Sequence, residues 1–182
     1  MKSLLQNTYL IFLILLLIPF EGQGQNTEHK DSSDIKLITA AREIMTAAGN
    51  CALITLDEEG RPRARAMDPF LPEKDLTVWF GTNSKSRKVD QIKKDPRVTL
   101  YYLDADASGY VMIHGKAVLV DDPEEKEKHW KDKWEAFYPN KSEDYLLIMV
   151  SPTWLELVSE TRGIYGDSKT WQAPTLMFDS EK

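Results

Sequence analysis

Residues Val78 to Pro96 read VWFGTNSKSRKVDQIKKDP, and this stretch decides the fold. Its first residues are β-branched and aromatic, the composition of a strand. The next residues read as a short helix from Lys85 to Lys94, stopping at Asp95–Pro96 because a residue before proline disfavours the helical region. The junction carries an anomaly. Lys85, Arg87 and Lys88 crowd the helix entrance, where unpaired backbone N–H groups and the macrodipole already form a positive pole. A helix stabilised on its own would place acids there, each contributing roughly 0.3–1 kcal/mol. Two readings answer this. Either a polyanion docks at the helix start, with Thr82, Ser84 and Ser86 as hydroxyl donors, or Ser84 is only an N-cap and the cations form a solvated face.

Upstream, the spacing of Ile35, Ile38, Ala41, Met45 and Ala48 predicts an amphipathic helix over Ile35–Ala48, closed by Gly49–Asn50. CALITL, the turn DEEG and RPRARAM then predict a hairpin. In its return strand Arg61, Arg63 and Arg65 lie two apart and share one face, with Ala64 and Ala66 on the other. Three like charges on one face repel unless acids or a ligand compensate; a charged edge protected against aggregation is the plainer reading. The connection DPFLPEKD leads to the strand LTVWFGT.

Downstream, RVTLYYLD and GYVMIHGKAVLVDD predict two further strands, with a bend or bulge at Gly115. DPEEKEKHWKDKWEAF predicts a helix with an Asp cap, proline at its first position and acids in its first turn, obeying the dipole rule that Lys85–Lys88 break. YLLIMVSPTWLELVSE predicts a sixth strand, interrupted at Pro152, and the tail from Thr161 reads as turns. Six closely spaced strands and few helices predict a mainly β fold, a small antiparallel barrel with flanking helices.

The chain has 182 residues. Lys2 precedes an apolar run, Tyr9–Phe20, which is shorter than the ~20 residues that span a bilayer. Gly22 and Gly24 come next as small residues at signal-peptidase spacing. The pattern predicts a signal peptide over residues 1–24, a disordered leader over 25–34 and one domain over 35–182. The pattern implies export to the periplasm, with an uncleaved membrane tether as the alternative. The formal net charge of −6 argues against general nucleic-acid binding. The single cysteine, Cys51, excludes an internal disulfide and a cysteine-built zinc site. His29, His114 and His129 have no metal-ligand spacing. His29 and His129 are expected to face solvent, and His114 is either a plain strand histidine or a residue near a ligand such as haem. Trp79, Trp130, Trp134 and Trp154 are expected in a core or interface.

Taken in order, Arg65-Ala66-Met67, then WFGTNSKSRKVDQIKKDPRVTLYYLD, then GYVMIHGKAVLV resemble the pyridoxamine 5′-phosphate oxidase-like superfamily, in its general stress protein branch. The resemblance implies a six-stranded antiparallel FMN-binding split barrel, with flavin at the interface of a two-fold homodimer. Backbone groups of Arg65, Ala66 and Met67 would face the polar edge of the flavin ring. Gly81 and Thr82 would lie beside the ribityl phosphate, and Ser86, Arg87 and Lys88 would form the phosphate turn. Tyr110 would reach the flavin held by the other subunit, and Trp171 would be an aromatic near the ring. It further implies an FMN-dependent oxidoreductase of unassigned substrate, or a non-catalytic flavin- or haem-binding store on the same fold. The chain ends TLMFDSEK, without the R-L-x-P motif that helps the name-giving oxidase hold pyridoxal phosphate, so vitamin B6 oxidation is not expected.

Overall fold

The computed structural model describes residues 32–179; the segment predicted as a signal peptide, most of the predicted leader and the last three residues lie outside the described part. The expected fold holds. Helix α1 (Ser32–Ala48) begins three residues before the predicted start and buries Ala40, Ala41, Ile44 and Met45 against the sheet. The strands are β1 (Cys51–Leu56), β2 (Pro62–Met67), β3 (Val78–Asn83), β4 (Arg97–Leu103), β5 (Gly109–Val120), β6 (Tyr145–Ser159) and a short β7 (Thr175–Met177). Between β3 and β4 lies α2 (Arg87–Lys94); between β5 and β6 lie α3 (Pro123–Lys128), a 3-10 turn (Asp132–Trp134) and α4 (Lys141–Asp144).

All pairings are antiparallel, in the spatial order β2-β1-β4-β5-β6-β3, with β7 added to β6. Alternating residues of these strands, among them Leu53, Phe80, Leu100, Tyr102, Ile113 and Leu155, fill one core. The sheet does not close. Strands β2 and β3 stand at the two ends of the path and meet only through a bridge between Pro69 and Phe80. The barrel is therefore split along the β2/β3 seam, where each strand has one edge without a partner strand among the described residues.

Four expectations need correction. Pro152 does not interrupt β6, which runs unbroken from Tyr145 to Ser159. The expected irregularity at Gly115 absorbs it: the β5–β6 register shifts between His114 and Gly115, placing Gly115 opposite Pro152. A Cβ on Gly115 would lie 2.7 Å from the Ser151 carbonyl oxygen, so only glycine allows this approach. The helix predicted over 122–137 stops at Lys128. Asp122 does cap it, accepting from the Glu124 and Glu125 amides, but the aromatics beyond it leave the helical path to build a second cluster with Trp79, Tyr145 and Leu147. His129 packs on this cluster and does not face solvent. It is 7% exposed, stacked on Trp79 at 4.3 Å, with Nδ1 3.1 Å from the Glu125 carbonyl oxygen. Strand β7 falls in the tail read only as turns.

Cys51 is buried at the start of β1, and that burial pushes its thiol up to about 12. Since the thiolate is the reactive form, Cys51 is expected to react with Ellman's reagent at pH 8 only as fast as the chain unfolds. Immediate stoichiometric labelling of the native protein would contradict this packing.

Candidate functional site

The helix that opens at the seam is not capped by a side chain. Ser86 occupies the N-cap position, but its hydroxyl instead accepts from Lys88 Nζ at 3.0 Å and lies 3.3 Å from Thr82 Oγ1. Lys88 Nζ also donates to Thr82 Oγ1 at 2.9 Å. The Lys88 ammonium thus meets two hydroxyls and no carboxylate, although Asp90 lies in the first turn of α2. Beneath them, Arg65 of β2 is held by neutral partners: its guanidinium donates to Thr55 Oγ1 at 2.9 Å and to Gln91 Oε1 at 3.1 Å, and the Thr55 hydroxyl donates to Gln91 at 2.6 Å.

Charge makes the site unusual within its own chain. Arg61 and Arg63, the first two members of the arginine set, both pair with Asp57 at 2.8 Å. Lys85 turns away from the cleft toward Asp144 at 3.6 Å, so it does not join the cationic group. Among the described residues, Arg65, Arg87 and Lys88 make no ion pair. Desolvation, then the positive field of Arg87 and Arg63, holds the Arg65 pKa below its ordinary value. Desolvation, then Arg65, does the same to Lys88. Cations arranged to depress one another destabilise the ligand-free protein, and an anion placed among them reverses the sign.

A cleft of about 420 Å³ opens here. Strand β2 and its exit supply Ala66, Met67 and Asp68; β3 supplies Gly81, Thr82 and Asn83; Lys88 comes from α2. The remaining wall is aromatic, from Trp134, Phe137 and Tyr138. Gly81 is required by this wall. A Cβ there would sit 2.5 Å from the Trp134 ring and 2.6 Å from the Tyr145 ring. A second depression, about 430 Å³, lies on the outer sheet face over Ala52, Ala64 and Ala66, flanked by Tyr101 and Leu103. Ala66 borders both, at the unpartnered edge of β2.

The fold therefore gathers Ala66, Met67, Gly81, Thr82 and Lys88 on one cleft, with Ser86 bonded to Lys88 and Arg87 and Arg65 adding positive field. Tyr110 is elsewhere, on the outer face, stacked on Tyr101 at 5.5 Å and donating to Glu156 at 2.6 Å. Burial and that carboxylate push its phenol up to about 12. Trp171 is 87% exposed on the 167–172 turn and does not line the cleft of its own chain. Sequence reading missed Gln91 and the aromatic wall. The available signal was the cluster Trp130, Trp134, Phe137 and Tyr138 ahead of Pro139, which is too aromatic for a solvated helix.

An open antiparallel barrel parted along a single seam defines the class of split β-barrels. The family described as "Pyridoxamine 5'-phosphate oxidase like" matches residues 36–158, from α1 to the end of β6, and the chain belongs to it. It is similar to General stress protein 26 of Bacillus subtilis (strain 168), 28% identical over 95 residues. That match takes in 50% of this chain and 66% of the relative, so the chain spans just under two thirds of the relative's length. Among solved structures, it resembles a Clostridium acetobutylicum protein related to general stress protein 26, with a TM-score of 0.65 and 23% identity over 79% of this chain and 96% of that one. A pyridoxamine 5'-phosphate oxidase-related, FMN binding protein of Nostoc punctiforme PCC 73102 gives a TM-score of 0.55 at 16% identity, covering 82% and 96%. At these identities the two structures speak for the fold.

Proposed function

We propose that this chain is an FMN-binding flavoprotein that works as an oxidoreductase. The observation that carries the reading is the gathering of Arg65, Arg87 and Lys88, none of them in an ion pair among the described residues, around the side-chain-uncapped start of α2. A phosphate monoester has the charge and acceptor geometry this arrangement lacks. Lys88, Arg87, the Ser86 and Thr82 hydroxyls and the first amides of α2 hold the phosphate. The unpartnered edge of β2 at Arg65–Met67 offers backbone donors and acceptors to the polar rim of a flat ring, and the small Ala64 and Ala66 side chains let the ring approach. FMN, when bound, supplies one- and two-electron redox chemistry. The protein's part is to orient the nucleotide, exclude water from its phosphate and place the Arg65 charge near the ring. Family membership and the FMN-binding relative support this choice of ligand.

Two copies are proposed to pair through the outer sheet face, where Tyr101 and Leu103 are exposed. Tyr110, remote from its own chain's cleft, then meets the flavin of the partner. Export is inferred from the pattern of residues 1–24 alone, and N-terminal sequencing of the mature protein tests it. The central test is the visible spectrum of the purified protein, followed by FMN titration. Flavin bands and saturable binding are expected; a colourless chain that takes up no FMN overturns the reading, and a Soret band replaces flavin by haem. Oxidation of a reduced nicotinamide with an added electron acceptor separates turnover from storage.

Lys88 gives the binding a pH dependence. Its free-state pKa lies below the ordinary 10.5 because the charged form is penalised. A bound phosphate favours that charged form, so binding takes up protons in the alkaline interval above the free-state pKa, and affinity falls as pH rises through it. In the ligand-free chain the sign is opposite: the unfolded state holds more protons there, so stability rises with pH across the same interval. FMN titrations from neutral to alkaline pH are expected to show the decline in the wild type and a flatter profile in Lys88→Met.

A further inference from the structure

The residues assigned so far come from β2, β3 and α2, which leaves the aromatic wall of the cleft without a role. We propose that Phe137 is a ligand-covering residue, whose ring closes over the polyol-phosphate arm of the bound nucleotide and governs how long it stays. This deepens the FMN reading and rests on it.

Phe137 is 70% exposed, yet it lines the same cleft as Lys88 and Thr82. A phenylalanine exposed on a loose loop would mean little, but this one is presented by a braced backbone. The Phe137 and Tyr138 amides both donate to the Trp134 carbonyl, at 2.8 and 3.1 Å, and Trp134 itself is buried over Gly81. The same stretch is clasped to the exit of β2. Lys131 donates to Asp68 at 2.7 Å and to the Pro69 carbonyl at 2.9 Å, and Lys133 pairs with Asp68 at 2.9 Å. Its far end is tied to the loop that opens α2, where the Ser84 amide donates to the Asp144 carbonyl at 2.8 Å and the Ser84 hydroxyl to the Glu143 carbonyl at 2.9 Å.

The chain thus fastens this segment at both lips of the cleft and leaves one large apolar side chain uncovered on its wall. Such a ring has a physical use beside a phosphate. It displaces water, lowers the local dielectric and strengthens the charge-assisted bonds made by Lys88 and Arg87.

Phe137→Ala is expected to raise the FMN dissociation constant about tenfold, equivalent to about 1.4 kcal/mol, mainly through faster release. The melting temperature of the ligand-free protein is expected to stay unchanged, because the ring is already largely in water. Phe137→Tyr, which keeps the ring, is expected to restore affinity and release rate. Wild-type protein that binds FMN with a Phe137→Ala variant of equal affinity and release rate overturns this proposal alone. A variant that weakens binding only in step with a lowered ligand-free melting temperature also overturns it, since the role would then be structural. Wild-type protein that binds no FMN overturns this proposal and the flavin reading together.

Discussion

Replacing Arg87 and Lys88 together by alanine is expected to weaken FMN binding by at least about 100-fold while leaving the ligand-free chain no less stable than the wild type. Hydrogen bonds to charged groups contribute about 1.5–3 kcal/mol each, so losing two of them costs roughly 3–6 kcal/mol of binding, or about 10² to 10⁴ in affinity. The stability half of the expectation comes from the fact that neither residue makes an ion pair among the described residues. Removing a cation that serves a carboxylate strands the carboxylate, as would happen at Arg162, whose partner is the buried Asp104. Removing Lys88 strands nothing charged, and it relieves both its own desolvation and its repulsion with Arg65. The Thr82 hydroxyl, buried in the seam, keeps Ser86 as a partner at 3.3 Å. Lys88→Met, which also keeps the volume, is expected to raise the melting temperature of the ligand-free protein. Calorimetric titration and thermal melts of the same samples read both halves. Retained affinity in the double variant sinks the phosphate assignment, and lost stability without lost affinity makes the cations structural.

Gly81→Ala carries the second large effect. The added methyl group would meet the Trp134 ring at 2.5 Å and the Tyr145 ring at 2.6 Å, distances that real contacts do not reach. Tyr145 is fully buried and its hydroxyl donates to the His129 carbonyl, so the shift falls on the Trp134 side. Overpacking of this kind costs typically about 1–3 kcal/mol, a drop of roughly 2–12 °C in Tm for a domain of this size. Because Trp134 carries the wall that presents Phe137, FMN affinity is expected to fall as well. The coupling is testable. Trp134→Ala in the Gly81→Ala background should cost less than the sum of the two single changes, since the second removes the ring that the first collides with. Strict additivity would show that the two residues do not meet.

Much of this site is contiguous in the chain, which is why it was legible in the sequence. Thr82, Ser86, Arg87 and Lys88 lie within seven residues, and a strand-to-helix junction places them together by local geometry alone. The charge sign at that junction runs against helix physics, which left a docked anion and a solvated cationic face as the two readings. The strands were legible for a similar reason, because their side chains alternate between core and outer face within each segment. What stayed hidden depends on partners far apart in sequence. That Lys85 leaves the cluster depends on Asp144, and that Arg65 joins it depends on Thr55 and Gln91.

The same division runs through the fold. Local patterning determined the six long strands, α1, α2, the Asp122 cap and the irregularity at Gly115, each set by periodicity, a proline or a close backbone approach. Tertiary structure alone decided that β6 passes through Pro152 unbroken, that His129 is buried, and that the predicted 122–137 helix yields to an aromatic wall. A short segment carries its own backbone preferences, but desolvation and ring packing depend on which distant surface arrives to cover it. Here β5 supplied it to Pro152, and Trp79 of β3 supplied it to His129 and the aromatic wall.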